Sequence, residues 1–189
     1  MIKYSMSLHF IKYLKESKDK REIRQNKLDF EKDELDPVMS EDTIKYHYDG
    51  LASKYFDRYN SGEGDADFNF GGAMLHNMFF ANLTPPRAAN KPEGISKSLI
   101  DSKYGNFDKF KEAVEKAAMA IQGSGWVYMD PEGEIKTIPN HEYKQTMKIA
   151  LLIDWWEHAW ALDYQQDKAK YFKNIWRIIN WDVVNIRLE

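Results

Sequence analysis

The sequence predicts an α+β fold: an antiparallel helical hairpin, then a lobe built from a small antiparallel sheet and further helices. Three observations predict it. Apolar residues recur at helical spacing over about 40–60 and again over about 70–82, with a polar, glycine-containing turn between them. The period then shortens: GWVYMD (125–130) and EIKTIP (134–139) flank a Pro-Glu-Gly turn and read as two short strands. MKIALLID (147–154) is an apolar run ending in a carboxylate, most simply a buried strand.

The elements follow in order. The first 27 residues hold eight Lys or Arg and three Asp or Glu, a local net of +5, and form a basic N-terminal extension. Tyr4, Met6, Leu8, Phe10, Ile11 and Leu14 give it a short apolar face. A transit peptide is disfavoured by acids at 16, 19 and 22 and by the lack of a small-residue cleavage site. Residues 28–39 read as an extended lead-in. Ser40 is a helix N-cap, with Glu41 and Asp42 in the first turn where the helix dipole favours acids. The first helix reaches about Asn60, with Ile44, His47 or Tyr48, Leu51, Tyr55 and Tyr59 on one face; Gly50 inside it costs about 1 kcal/mol. Residues 61–67 read as a turn, and the second helix runs from about Phe70 to Asn82 and stops at Pro85-Pro86. The polar stretch 87–94 links the lobes. Asn106 caps a helix through Phe107, Phe110, Val114 and Ala117, and 168–186 is helical with Tyr171, Ile175, Ile178 and Ile179 inward. The domains are therefore 1–27 (extension), 28–90 (helical hairpin) and 91–189 (α/β lobe).

Composition narrows the function. The 189 residues suffice for one good core, or two lobes sharing one. Hydrophobic residues at 43% and charged residues at 30% are ordinary for a soluble globular chain, and no apolar run approaches a membrane span. A net charge of -3 argues against a general nucleic-acid binder. The absence of cysteine removes disulfides, thiolate metal sites, iron–sulfur clusters and cysteine nucleophiles.

Of five histidines, four lie in the predicted folded part: His47, His76, His141 and His158. His47 and His76 sit on apolar helix faces, where a histidine is more often a satisfied core residue than a ligand. DWWEHAW is more telling. Asp154 ends a buried strand, where a carboxylate is costly unless paired or bound to a cation, and His158 follows four residues later among aromatics. Three imidazoles and a carboxylate suit Fe, Mn or Zn. Spacing alone leaves open a redox metal, a hydrolytic zinc or a structural site.

The motifs also resemble a known family. DWWEHAWALDY with INWDVV resembles the DxWEHAxxxxY and NWxxV segments of the iron/manganese superoxide dismutases. SEDTIKYHYDGLASKY and GGAMLHNMFFANLTPP resemble that family's first and second ligand segments, and GNFDKFKEAV with AIQGSGWVYM its middle. The resemblance covers about residues 28–189. It implies one Fe or Mn ion per subunit, held by His47, His76, Asp154 and His158, which cycles by one electron and converts two superoxide anions into O2 and H2O2. It implies Tyr55 as the tyrosine gating access and supplying protons, Trp126 and Trp156 as the aromatic wall, and Glu157 as an acid reaching a ligand histidine of a second subunit. Members place a Gln or His beside solvent on the metal, from the second helix or from the sheet. Gly72 occupies the helix position here, so His141 takes the role, with a surface-loop histidine as its rival.

Three departures stand out. Leu51 and Ala161 replace a histidine and a tyrosine that pair across the family's dimer, and losing both is cheaper than orphaning one. Leu75 replaces the asparagine usually preceding the second ligand. Only 29 positions separate His47 from His76, so the hairpin is shortened, and a homodimer is expected rather than a tetramer. The resemblance favours a cytoplasmic enzyme, the mitochondrial matrix being less favoured. The competing readings are a metal-binding relative that is non-catalytic or reacts differently; an O2-using 2-His-1-carboxylate iron enzyme would need only three of the four ligands.

Overall fold

The computed structural model describes residues 22–189. Residues 1–21 of the basic extension, with the apolar face expected at 4–14, lie outside the described residues. The fold is α+β, with helices packed around a three-stranded antiparallel sheet whose strands lie in the spatial order Ile135–Pro139, Gly125–Met129, Leu151–Asp154.

Helix α1 starts at the expected cap, where Ser40 Oγ accepts from the Thr43 N–H at 3.2 Å. It runs as an α-helix at Glu41–Ile44, a π-helix at Lys45–Ala52 and an α-helix again at Ser53–Ser61. The π stretch resets the inward face. A plain α-helix carries Leu51 and Tyr55 inward beneath Ile44 and His47; the buried residues are instead Thr43, Ile44, His47, Ala52 and Phe56, with Leu51 and Tyr55 half-buried. Bonds of i→i+5 type lengthen the turn by one residue. Gly62, at φ 73°, closes the helix.

The following turn is shorter than expected. Asp65 is a cap, its Oδ1 accepting from the Phe68 N–H at 2.7 Å, so helix α2 begins four residues earlier, at Ala66–Phe80. The polarity that suggested a turn over 61–67 is in part a cap and a solvated first helical turn. The lead-in also differs: it turns at 32–38 around a cis Asp36–Pro37 bond rather than extending. It buries Phe30, Leu35, Val38 and Met39 in the main core. Residues 22–27 lie on the hairpin, with Ile23 packed against Phe56, Ala73 and Met74.

Helix α3 (Gly94–Tyr104) follows the linker without having been expected. Of its residues only Ser96 and Ile100 are buried, so ISKSLIDSK shows too narrow an apolar stripe to read as periodic. Helix α4 (Phe107–Met119) forms on its cap, Asn106 Oδ1 accepting from the Lys109 N–H at 2.9 Å, and buries Phe110, Val114 and Ala118. Strands β1 (Gly125–Met129) and β2 (Ile135–Pro139) pair antiparallel as expected. Strand β3 (Leu151–Asp154) is the second half of the apolar run, paired to β1 with Trp126 opposite Asp154.

A 3-10 turn (Glu157–Ala159) leads into α5 (Ala161–Tyr164) and α6 (Lys168–Ile175), then a second 3-10 turn (Trp176–Ile178) and α7 (Trp181–Leu188). The expected single helix is thus interrupted at Ile179–Asn180, where Asn180 caps α7. Tyr171, Ile175, Ile178 and Ile179 do point inward. One core spans both lobes, with Leu75 and Phe79 of the hairpin joining Trp126 and Ile153 of the sheet. Among the described residues no helix is long and apolar enough to cross a membrane.

Candidate metal centre

Four side chains from the hairpin and the lobe meet in this shared core. His47 comes from the π stretch of α1, His76 from the middle of α2, Asp154 from the end of β3 and His158 from the first 3-10 turn. One donor atom from each lies within 4.8 Å of all the others. Asp154 Oδ2 is 3.2 Å from His47 Nε2, 3.3 Å from His158 Nε2 and 3.9 Å from His76 Nε2. His76 Nε2 and His158 Nε2 are 3.4 Å apart. Despite these distances, Asp154 Oδ2 and His47 Nε2 have no partner aligned for a hydrogen bond. Buried polar atoms left without partners are expensive. Four donors crowded about one volume, two of them without an aligned partner, fit a shared cation.

The surroundings hold three of the four donors. Asp154 Oδ1 accepts from the Trp156 N–H at 2.8 Å, leaving Oδ2 to the cluster. The Asp154 carbonyl accepts from the Tyr171 hydroxyl at 3.0 Å. His76 Nδ1 lies 2.6 Å from the Gly72 carbonyl. Donation there puts the proton on Nδ1 and leaves the Nε2 lone pair facing the cluster. The His47 ring is wedged between Phe79 and Phe80, at 5.6 and 4.8 Å.

Burial sets the protonation states a metal needs. It pushes His47 down to about 4, aided by the neighbouring His158. His76 goes well below its ordinary value for the same reason, with His47 adding to the effect. Burial alone would raise the Asp154 carboxyl; His158 and His47 together outweigh it and hold the group well below the usual carboxylate range. Neutral imidazoles beside an ionised carboxylate are ready to ligate without releasing protons.

His141 is 1% exposed, which excludes a surface-loop position. Its ring stacks on Trp156 at 4.5 Å and meets the Tyr55 edge at 4.7 Å. Its Nδ1 accepts from Trp126 Nε1 at 3.2 Å, and its Nε2 is buried without a partner. Tyr55 stacks on His76 at 5.3 Å, and Trp126 meets the same ring edge-on at 5.0 Å. Burial pushes the Tyr55 hydroxyl up to about 12. Glu157 is exposed and stands outside the four-donor group. Leu51 and Ala161 are half-buried.

Three contributors were not read from the sequence. Phe68 packs its ring 4.7 Å from His141 and 6.0 Å from Tyr55. Tyr171 holds the Asp154 backbone. Gly71 lies so close to the His141 carbonyl oxygen that a Cβ would collide with it. At Gly72 a Cβ would come within 2.8 Å of the Tyr55 ring and 3.1 Å of His141 Cδ2, so a side chain there and His141 compete for one space. Two adjacent glycines within a helical pattern were the available signal, since such a pair marks close approach.

Three imidazoles and one carboxylate, gathered between a helical hairpin and an α/β lobe, form a donor set of the N3O kind able to hold one metal ion. Comparison with known proteins gives the family. The model for the C-terminal domain of iron/manganese superoxide dismutases matches residues 92–187. An iron superoxide dismutase of Bacteroides fragilis is 33% identical over 86% of this chain and 97% of its own length. An iron superoxide dismutase of Sulfolobus acidocaldarius is 31% identical over 86% of this chain and 91% of its own. A manganese/iron superoxide dismutase of Aeropyrum pernix is 31% identical over 82% and 85% respectively. The chain belongs to the iron/manganese superoxide dismutase family.

Proposed function

We propose that this chain is a superoxide dismutase carrying one iron or manganese ion per subunit, with His47, His76, Asp154 and His158 as ligands. The observation carrying this reading is the buried convergence of four donors, with Asp154 Oδ2 and His47 Nε2 unpaired. The bound metal supplies the one-electron cycling by which two superoxide anions and two protons become O2 and H2O2.

The chain's own residues supply geometry, dryness and protons. Asp154 is fixed from both sides, by the Trp156 N–H and the Tyr171 hydroxyl. Trp126, Phe79 and Phe80 pack against the rings of His47 and His76, whose burial favours their neutral forms. Tyr55, with its hydroxyl at about 12, keeps its proton at neutral pH and is a donor beside His76. Because His141 Nδ1 accepts from Trp126, its Nε2 carries the ring proton and presents it, unpartnered, at the same side of the site.

The chain acts as a homodimer. Supporting this are the exposure of Glu157 and of Leu162, 57% exposed, on the segment that follows the site, and the short link of four residues, 62–65, between α1 and α2. A cytoplasmic location completes the proposal.

Elemental analysis and superoxide consumption measured on one purified sample test the function. About one Fe or Mn per chain, with activity following occupancy and both lost in His76→Ala, is the expected result. Full occupancy without dismutation would replace this reading with that of a non-catalytic or differently reacting metal-binding relative. Sedimentation equilibrium tests the dimer.

A further inference from the structure

We propose that residues 22–27 are a strap that positions the metal centre by tying together the two helices that carry His47 and His76. The proposal rests on reading the four-donor cluster as a metal site. The strap touches both helices of the hairpin, and five of its backbone groups pair with side chains from them. Asn60 of α1 reads Ile23 twice: its Oδ1 accepts from the Ile23 N–H and its Nδ2 donates to the Ile23 carbonyl, both at 2.8 Å. Asn77 of α2 does the same across two residues. Its Oδ1 accepts from the Asn26 N–H at 2.9 Å and its Nδ2 donates to the Arg24 carbonyl at 3.0 Å. Two more bonds run to Tyr48. Its carbonyl accepts from Gln25 Nε2 at 2.9 Å, and its hydroxyl donates to the Asn26 carbonyl at 2.6 Å. Ile23 anchors the segment, 6% exposed in a small apolar cluster with Phe56, Ala73 and Met74.

The placement of these contacts matters more than their number. Tyr48 directly follows His47, and Asn77 directly follows His76. The strap therefore grips the residues next to two candidate ligands and spans the gap between their helices. Tolerances at a metal site are about 0.2 Å in ligand distance, and groups that orient ligands contribute about 10- to 100-fold to metal affinity. A tie between neighbouring positions on α1 and α2 acts on the distance between His47 and His76 directly. Asn77 is 6% exposed, so removing its amide leaves two backbone groups of the strap without their partner.

The test compares four proteins loaded with manganese or iron: the full chain, a deletion of 1–21, a deletion of 1–27, and Asn77→Leu. Metal transfer to excess chelator at neutral pH is timed well below the melting midpoint of each, and the visible spectrum of the loaded form is recorded. The deletion of 1–21 should match the full chain. The deletion of 1–27 and Asn77→Leu should release metal about 10-fold faster or more, the low end of what ligand-orienting groups supply, with a changed spectrum. If both fold and release metal at the parent rate with an unchanged spectrum, even with a lower melting midpoint, the strap only stabilises the hairpin and the proposal fails. Should the longer deletion not fold, Asn77→Leu decides alone. A full chain that takes up no metal refutes the metal-site reading itself, an outcome visible before any variant is compared.

Discussion

Acidifying the metal-free chain from pH 7 to 4.5 should strip it of much of its folding stability, through histidines buried without their protons. His47 and His141 each have a pKa pushed down from 6.5 to about 4, burial being the main cause in both. In the unfolded chain both bind a proton below about 6.5. Between the two values the unfolded state holds more protons than the folded one. Stability therefore rises with pH: it is fully present above about 6.5 and is lost as the pH falls towards 4. Over pH 7 to 4.5 the loss is about 2–3 kcal/mol for each residue, about 5 kcal/mol together. That is a large share of the roughly 5–15 kcal/mol typical of a domain. His76 shifts in the same direction and adds to the loss. Asp154, held below the ordinary carboxylate range, loses its contribution only below about pH 4. Guanidinium unfolding followed by tryptophan fluorescence at several pH values measures this. His141→Phe should remove about a third of the slope, its share among the three buried histidines. A stability that stays flat, or rises, from pH 7 to 4.5 would refute the reasoning. Loading with metal should move the onset to lower pH, because ligation holds the imidazoles deprotonated.

Further predictions concern the supports of the site. Tyr171→Phe orphans the buried Asp154 carbonyl and should cost about 1–3 kcal/mol in denaturant unfolding. Gly71→Ala should destabilise by about 1–3 kcal/mol through overpacking against the His141 carbonyl, as read by the thermal midpoint. The sign is diagnostic, since helix propensity alone would make alanine stabilising by about 0.5–1 kcal/mol. The Arg187 guanidinium donates to Asn82 Oδ1 and the Met78 carbonyl, both at 3.0 Å, and burial lowers it to about 10. Arg187→Met should cost about 2–3 kcal/mol in denaturant unfolding, because these bonds tie the end of α2 to the C-terminal helix.

The caps at Ser40 and Asn106, the β1–β2 hairpin and the inward residues of the last helices were all legible in the sequence. Each depends on chemistry within a few residues, where a side-chain oxygen meets an orphan N–H or an apolar period selects one face. The donor types were legible for a similar reason: a carboxylate at the end of an apolar strand with a histidine four residues on is a local anomaly. Other features were not. The π stretch moved the inward face from Leu51 to Ala52, because the helix turn lengthened to suit its packing, and no propensity encodes that. Helix α3 escaped notice because its burial depends on contacts made by Ser96 with Asn185 near the other end of the lobe. Residues 22–27 read as part of the basic N-terminal extension, since their partners Asn60 and Asn77 are distant in the chain.

The sequence by itself determined the helix caps, the β1–β2 hairpin and most of the helices, and which side chains were available to bind a metal. Only the tertiary structure decided that Asp154 Oδ2 faces three imidazoles, that His141 is buried against Trp156, and that residues 23–26 bond to both helices of the hairpin. Those are distances between residues far apart along the chain, set by how the hairpin and the lobe share one core.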